Sequence, residues 1–240
     1  FERRAMRGLE ELEFTPRGRH IGLILADQLP QPFAAGARVL VEAFGPELTA
    51  TEGNGLAVFF YLPHSYAISE RGVDDFETGM RANYELTKRF SAEFSVRPFL
   101  TRHRDAALAR LVEWTADSNP HVRRLVSEGS RPRLPWASRL PEFQADPRWT
   151  LPLLERLKDD PNLYVRRSVA NHLGDILKDH PEAAFAVCER WLQEARRKRV
   201  SAARAAARFW IIRHAVRLPA KQGDERDRHR GELRIVQDVP

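Results

Sequence analysis

The phrase Asn119-Pro120-His121-Val122-Arg123-Arg124-Leu125-Val126 returns as Pro161-Asn162-Leu163-Tyr164-Val165-Arg166-Arg167-Ser168-Val169. Setting Val122 on Val165 gives a period of 43 residues, inside the range of about 40–47 expected for paired-helix repeats of the HEAT type. Each copy is built alike: an apolar helical stretch (residues 106–114, then 151–157), an Asp/Asn/Pro turn, and a second helix opening Val-Arg-Arg. A looser third copy runs from Phe185 to Arg217, with Val200 following a basic turn. One such unit cannot bury its apolar face alone, so neighbours must stack, which predicts a curved solenoid with a concave surface.

The rest of the chain agrees with an all-α class. Apolar residues recur at helical spacing, as in Phe76, Met80 and Tyr84, or Leu108, Leu111 and Val112, and no stretch alternates with period two. Asp146-Pro147 and Asp160-Pro161 each put an acceptor side chain before a proline, the signature of a helix start; Asn119-Pro120 and His180-Pro181 repeat it more weakly. The expected organisation is one HEAT-like domain over residues 1–218. Within it, residues 1–72, broken by Pro30, Pro32, Pro46 and Pro63, form an N-terminal helical layer, and residues 73–218 form the repeats. Residues 219–240 mix five acidic and five basic side chains with few apolar ones and read as a weakly ordered tail. Between the two clear copies, Gly129 to Pro147 carries prolines at 132, 135, 141 and 147. A connection that long within a compact domain tends to serve function.

Charge narrows the partner. Lys and Arg number 39 against 33 Asp and Glu, and all but five of the cations are arginine. The guanidinium fork matches phosphate oxygens, so the excess points to nucleic acid, although GC-rich coding would give the same bias. From residue 190 to 217 there are nine cations and one acid, Glu194, with Arg204 and Arg208, and Arg213 and Arg217, each one helical turn apart. Such clusters bind phosphates by releasing condensed counterions. The longest apolar run, Leu56 to Leu62, is far too short to span a bilayer. The single cysteine, Cys188, rules out a disulfide framework and a cysteine-built zinc site, and His64, His103, His121 and His172 lack metal-ligand spacing. No apolar leader follows Phe1-Glu2-Arg3-Arg4. The expectation is a cytoplasmic, monomeric protein with no metal, no cofactor and no membrane attachment.

The second helix of the later repeat divides into a stripe to be buried, Val165, Val169, Leu173 and Ile176 or Leu177, and a polar stripe, Arg167, Asn171 and Asp175. In the earlier repeat Arg124 and Glu128 stand where Arg167 and Asn171 do. Stacked repeats would bring Glu128 and Asp175 to one arginine-rich concave face. Carboxylates oppose phosphate binding there, and make physical sense if the groove must also hold a cation. On their own, Glu128 beside a glycine and Asp175 on an amphipathic helix are equally consistent with ordinary surface acids.

Three strings carry a resemblance. Ser127-Glu128-Gly129-Ser130-Arg131-Pro132-Arg133-Leu134-Pro135-Trp136, Pro161 through Asp175, and Tyr84-Glu85-Leu86-Thr87-Lys88-Arg89-Phe90-Ser91-Ala92-Glu93-Phe94-Ser95-Val96-Arg97-Pro98-Phe99 look like the AlkC branch of the HEAT-like-repeat DNA alkylation repair glycosylases. The likeness covers about Ile21 to Arg217. It implies a cofactor-free glycosylase that hydrolyses the N-glycosidic bond of cationic N-alkylated bases in duplex DNA, chiefly 3-methyladenine, with 3-methylcytosine also attributed to this branch. It further implies Glu128 and Asp175 as the catalytic pair, Glu93 as a third acid, and Trp136 against the lesion or its sugar. Arg124, Arg131, Arg133 and Arg167 would grip phosphates, joined by the basic-cluster residues Arg204 and Arg208. Trp136 flanked by prolines would equally serve to plug its loop. Trp114, Trp149, Trp191 and Trp210 read as packing residues. Two other functions stay open: a non-catalytic module binding bent or damaged DNA, and a scaffold whose arginines meet an acidic protein.

Overall fold

A computed structural model gives the fold and describes residues 1–217. The tail expected at 219–240 lies outside the described residues. Thirteen α-helices and three short 3₁₀ turns make up the described residues, with no strand among them, so the all-α expectation holds. No helix among them is long and apolar enough to cross a membrane. The described residues form two compact units, one of Phe1–Leu125 with Leu134–Ser138, the other of Val126–Arg133 with residues 139–217.

The first unit holds α1 (Glu2–Met6), α2 (Phe14–Gln28), α3 (Phe33–Glu42), α4 (Leu62–Gly72), α5 (Phe76–Thr87), α6 (Arg97–Arg102), α7 (Arg104–Trp114) and the start of α8 (Pro120–Gly129). Packing is continuous across residue 72: α4 lies against both α2 and α5. Small residues set these approaches. A Cβ on Gly22 would sit 2.5 Å from the Pro63 carbonyl, and one on Gly79 would sit 2.5 Å from the Gly72 carbonyl. Both positions therefore exclude any larger side chain without a backbone shift. The expected helical layer and the residues following it share one core, to which Ile68, Met80, Leu86 and Phe99 contribute fully buried side chains.

The second unit takes the end of α8 and adds α9 (Pro141–Ala145), α10 (Leu151–Leu157), α11 (Leu163–Asp179), α12 (Pro181–Ala195) and α13 (Ala202–Ala215). The helix α11 is its centre, packed against α9, α10, α12 and α13. Its expected stripe is buried in full, with Val165, Val169, Leu173, Ile176 and Leu177 all within the core. Each such aliphatic side chain stabilises the fold by roughly 1.5–3 kcal/mol relative to exposure. Trp114 and Trp191 are core residues as expected. Trp149, by contrast, is 36% exposed, and Trp210 stacks on His214 at 4.7 Å between ring centroids. Cys188 on α12 is fully buried, and burial pushes its thiol up to about 12.

The 43-residue period reappears in the hydrogen bonds. In the first unit Asp117 Oδ1 accepts from Asn119 N (2.7 Å), Asn119 Oδ1 accepts from His121 N (2.9 Å), and Arg123 Nη1 donates to the Asp117 and Ser118 carbonyls (2.8 and 3.0 Å). In the second unit Asp160 Oδ1 accepts from Asn162 N (2.8 Å), Asn162 Oδ1 accepts from Tyr164 N (2.9 Å), and Arg166 Nη1 donates to the Asp160 and Pro161 carbonyls (2.9 and 2.7 Å). The first arginine of each Val-Arg-Arg thus braces its turn. One helix start moves: Asn162, not Asp160, caps α11, because Asp160 spends its oxygen on the preceding turn. His180 makes no side-chain cap to α12; its Nε2 instead pairs with the Gln144 carbonyl at 2.7 Å.

Candidate functional site

The second unit brings Glu128 and Asp175 onto one side chain. Glu128 lies in the last turn of α8 and Asp175 in the fourth turn of α11. Arg131, three residues after Glu128, turns back between them: Nη1 donates to Glu128 Oε1 and Nε to Asp175 Oδ2, each at 2.8 Å. All three are buried, at 6%, 8% and 2% relative exposure for Glu128, Arg131 and Asp175. The second oxygen of each acid is also engaged. Ser168 Oγ donates to Glu128 Oε2 at 2.6 Å, and Lys178 Nζ approaches Asp175 Oδ1 at 3.4 Å. Burial alone pulls the Arg131 guanidinium down, but the charges and hydrogen bonds of Glu128 and Asp175 outweigh it and hold the group above its ordinary value.

Local structure explains the arrangement. Ser168, His172 and Asp175 follow one another at spacings of four and three, so α11 presents them on one face. His172 Nδ1 pairs with the Ser127 carbonyl at 3.0 Å, tying that face to the last turn of α8. The chain leaves α8 through Arg131 N to Glu128 O (3.3 Å), and Leu140 N donates to Pro132 O (3.2 Å), which closes the loop that carries Arg131. A buried acid differs from the expected polar stripe: Arg167 is exposed and Asn171 half-buried, while Asp175 faces inward.

The arginines divide into two kinds. Arg131 was expected on phosphate but sits inside the carboxylate pair. Arg133 makes a two-pronged ion pair with Asp179, its Nε and Nη2 at 2.7 and 2.6 Å from the two carboxylate oxygens. That contact holds Asp179 below the usual carboxylate range. Arg208 is 6% exposed, clasping Asp159 at 2.6 and 2.7 Å and Glu194 at 2.9 Å. It therefore shares no open face with Arg204, which is exposed one turn earlier. Helical spacing could not foretell this, since Asp159 and Glu194 come from other parts of the chain. Of the expected phosphate ligands, Arg167 and Arg204 are the exposed ones.

In the first unit, Glu93 pairs with Arg124, and both meet Ser91, whose Oγ donates to Glu93 Oε2 (2.8 Å) and accepts from Arg124 Nη1 (2.9 Å). Trp136 stands 74% exposed, with a left-handed backbone at φ 66°. A bulky side chain rarely adopts that region. Its neighbourhood is pinned on both sides: Leu134 is buried, and the buried Arg97 donates through Nε to the Ser138 carbonyl at 2.6 Å. Sequence reasoning missed Ser168 and Lys178 as partners of the acids. The available signal was spacing, since Ser168 precedes Asp175 by seven residues and Lys178 follows it by three.

Two buried carboxylates gathered around one cation suit one kind of chemistry: stabilising a positive charge presented in the same place. Comparisons bear on which charge. No family model matches the chain. Among solved structures it is similar to Pseudomonas fluorescens alkylpurine DNA glycosylase AlkC bound to DNA containing an abasic site analog, with 38% identity and a TM-score of 0.73 over 92% of this chain and 57% of that one. Among curated proteins it is 35% identical over 215 residues to the uncharacterized protein YhaZ of Bacillus subtilis (strain 168), covering 90% of this chain and 55% of that protein. The chain spans a little over half the length of each of these relatives. Over nearly all of its own length it is similar to that AlkC glycosylase in both sequence and helical-repeat fold.

Proposed function

We propose that this protein is a DNA glycosylase that hydrolyses the N-glycosidic bond of cationic N-alkylated bases, 3-methyladenine first and 3-methylcytosine second, in duplex DNA. The observation that carries the reading is the convergence of Glu128 and Asp175 on one buried cation. The likeness to an alkylpurine DNA glycosylase supports it independently.

N-alkylation puts positive charge on the base and weakens its bond to the sugar, so the leaving group needs little protonation. The barrier then lies in the sugar, which becomes oxocarbenium-like as the bond breaks. One carboxylate stabilises that charge electrostatically while another orients the attacking water. Glu128 and Asp175 fill these roles, and Glu93 is the third acid at the lesion. Trp136 supplies an aromatic face to the cationic sugar or base. Arg167 and Arg204 neutralise phosphates of the DNA, with Arg124 and Arg133 joining as their ion pairs open. The protein acts as a cytoplasmic monomer.

The test is release of free methylated bases from alkylated duplex DNA by the wild type, Glu128→Gln and Asp175→Asn. The wild type liberates 3-methyladenine, and each substitution slows release at least about tenfold, or about 1.4 kcal/mol of barrier, while DNA binding persists. Equal rates for all three proteins would refute the assignment.

A further inference from the structure

We propose that Arg97 is a positioning residue for turnover: through the Ser138 carbonyl it holds the loop of Trp136 in the left-handed conformation that presents the indole to the lesion. The inference rests on reading Trp136 as the aromatic face at the cationic sugar or base. Trp136 combines two features that a free loop would not keep together. Its side chain is 74% exposed, so burial does little to hold it, and its backbone sits at φ 66°. A bulky residue stays in that region only where its surroundings over-determine it.

The first unit supplies those surroundings, since it contains both Arg97 and Leu134–Ser138. Two residues before Trp136, Leu134 is buried in the core. Two residues after it, the Ser138 carbonyl accepts from Arg97 Nε at 2.6 Å. A hydrogen bond from a charged donor is roughly twice as strong as one between neutral groups, and a guanidinium keeps its charge when buried. Arg97 is 1% exposed and opens α6, where Val96, Phe99 and Leu100 are also buried and Phe99 lies against Gly79 of α5. The donor is therefore fixed by the core, as a surface lysine reaching the same carbonyl would not be. The ring whose backbone is braced in this way adds little buried area, so core packing alone does not call for the clamp. An indole ordered in advance meets the developing charge without the cost of ordering a loop at each encounter.

The experiment measures base release at saturating alkylated DNA for the wild type, Arg97→Met, Trp136→Ala and the double variant, alongside fluorine NMR of protein labelled with 5-fluorotryptophan. Arg97→Met slows release about as much as Trp136→Ala, at least about tenfold, and the double variant is no slower than Trp136→Ala alone. The Trp136 resonance, assigned with Trp136→Phe, shifts or broadens in Arg97→Met, while those of Trp114 and Trp191 stay in place. Losses that multiply in the double variant overturn the proposal, because Arg97 then acts on something other than Trp136. An unmoved Trp136 resonance, or movement of all three, overturns it as well, the second indicating a general structural role. Wild-type turnover in Trp136→Ala overturns the reading of Trp136 itself, whatever the resonance does. Should Arg97→Met not fold, Arg97→Lys is read by the same two measurements, with an intermediate rate and a Trp136 shift expected; no change in either overturns the proposal.

Discussion

Arg204 and Arg208 stand one turn apart on α13, yet replacing them should have opposite consequences. Arg208→Met removes a guanidinium 6% exposed that makes three ion-pair contacts, two to Asp159 and one to Glu194. Breaking a buried pair from one side costs about 3–5 kcal/mol. Here the two acids keep 23% exposure and can partly rehydrate, and Glu194 retains Lys158 at 2.6 Å. A loss of about 2–4 kcal/mol is therefore expected, which for a chain of this size lowers the melting temperature by roughly 10 °C. Arg204→Gln touches an exposed side chain and should leave stability within about 0.5 kcal/mol. On duplex DNA the order reverses. Losing Arg204 reduces the slope of log affinity against log salt by about 0.9, whereas Arg208→Met, measured below its melting transition, leaves the slope unchanged. Circular-dichroism melting and fluorescence anisotropy across a salt series read both quantities. Should Arg208→Met melt with the wild type and flatten the salt dependence, the division of the arginines into structural and DNA-facing sets is wrong.

The matched turns make a second prediction: Asn119→Ala and Asn162→Ala each remove a helix cap and should cost about 1 kcal/mol in urea unfolding. Asn162→Asp, which keeps the acceptor and suits the helix N-terminus, should cost nothing; equal damage from Asp and Ala would show that the cap is not what stabilises the turn. Trp136→Gly relieves a left-handed backbone and leaves stability unchanged or raised by up to about 1 kcal/mol, while lowering base release; wild-type turnover in that variant would remove Trp136 from the site.

The elements most legible in the sequence are those fixed by local rules. Val165, Val169 and Leu173 announce a buried helical face by spacing alone, and the Asp/Asn/Pro turns announce helix starts to within two residues. The 43-residue recurrence reports more than similarity of composition, since the equivalent side chains make equivalent hydrogen bonds. What spacing could not give is partnership across the chain. Asp175 reads as the end of a polar stripe, yet it faces inward because Arg131, 44 residues earlier in sequence, supplies its counter-charge. Arg208 reads as a phosphate ligand for the same reason in reverse: Asp159 lies 49 residues away and is invisible to a helical wheel. Long-range ion pairing decides whether a charged residue faces water, and no local pattern encodes it.

Cys188 closes a route to self-inflicted damage. Methylating agents attack thiolates faster than almost any other group in a protein, and a thiol held near 12 and sealed within α12 is neither ionised nor reachable. With that sulfur as the single cysteine of the sequence, no thiolate meets the electrophiles that create the proposed substrate, and the reaction that most readily inactivates cysteine-bearing proteins is closed off.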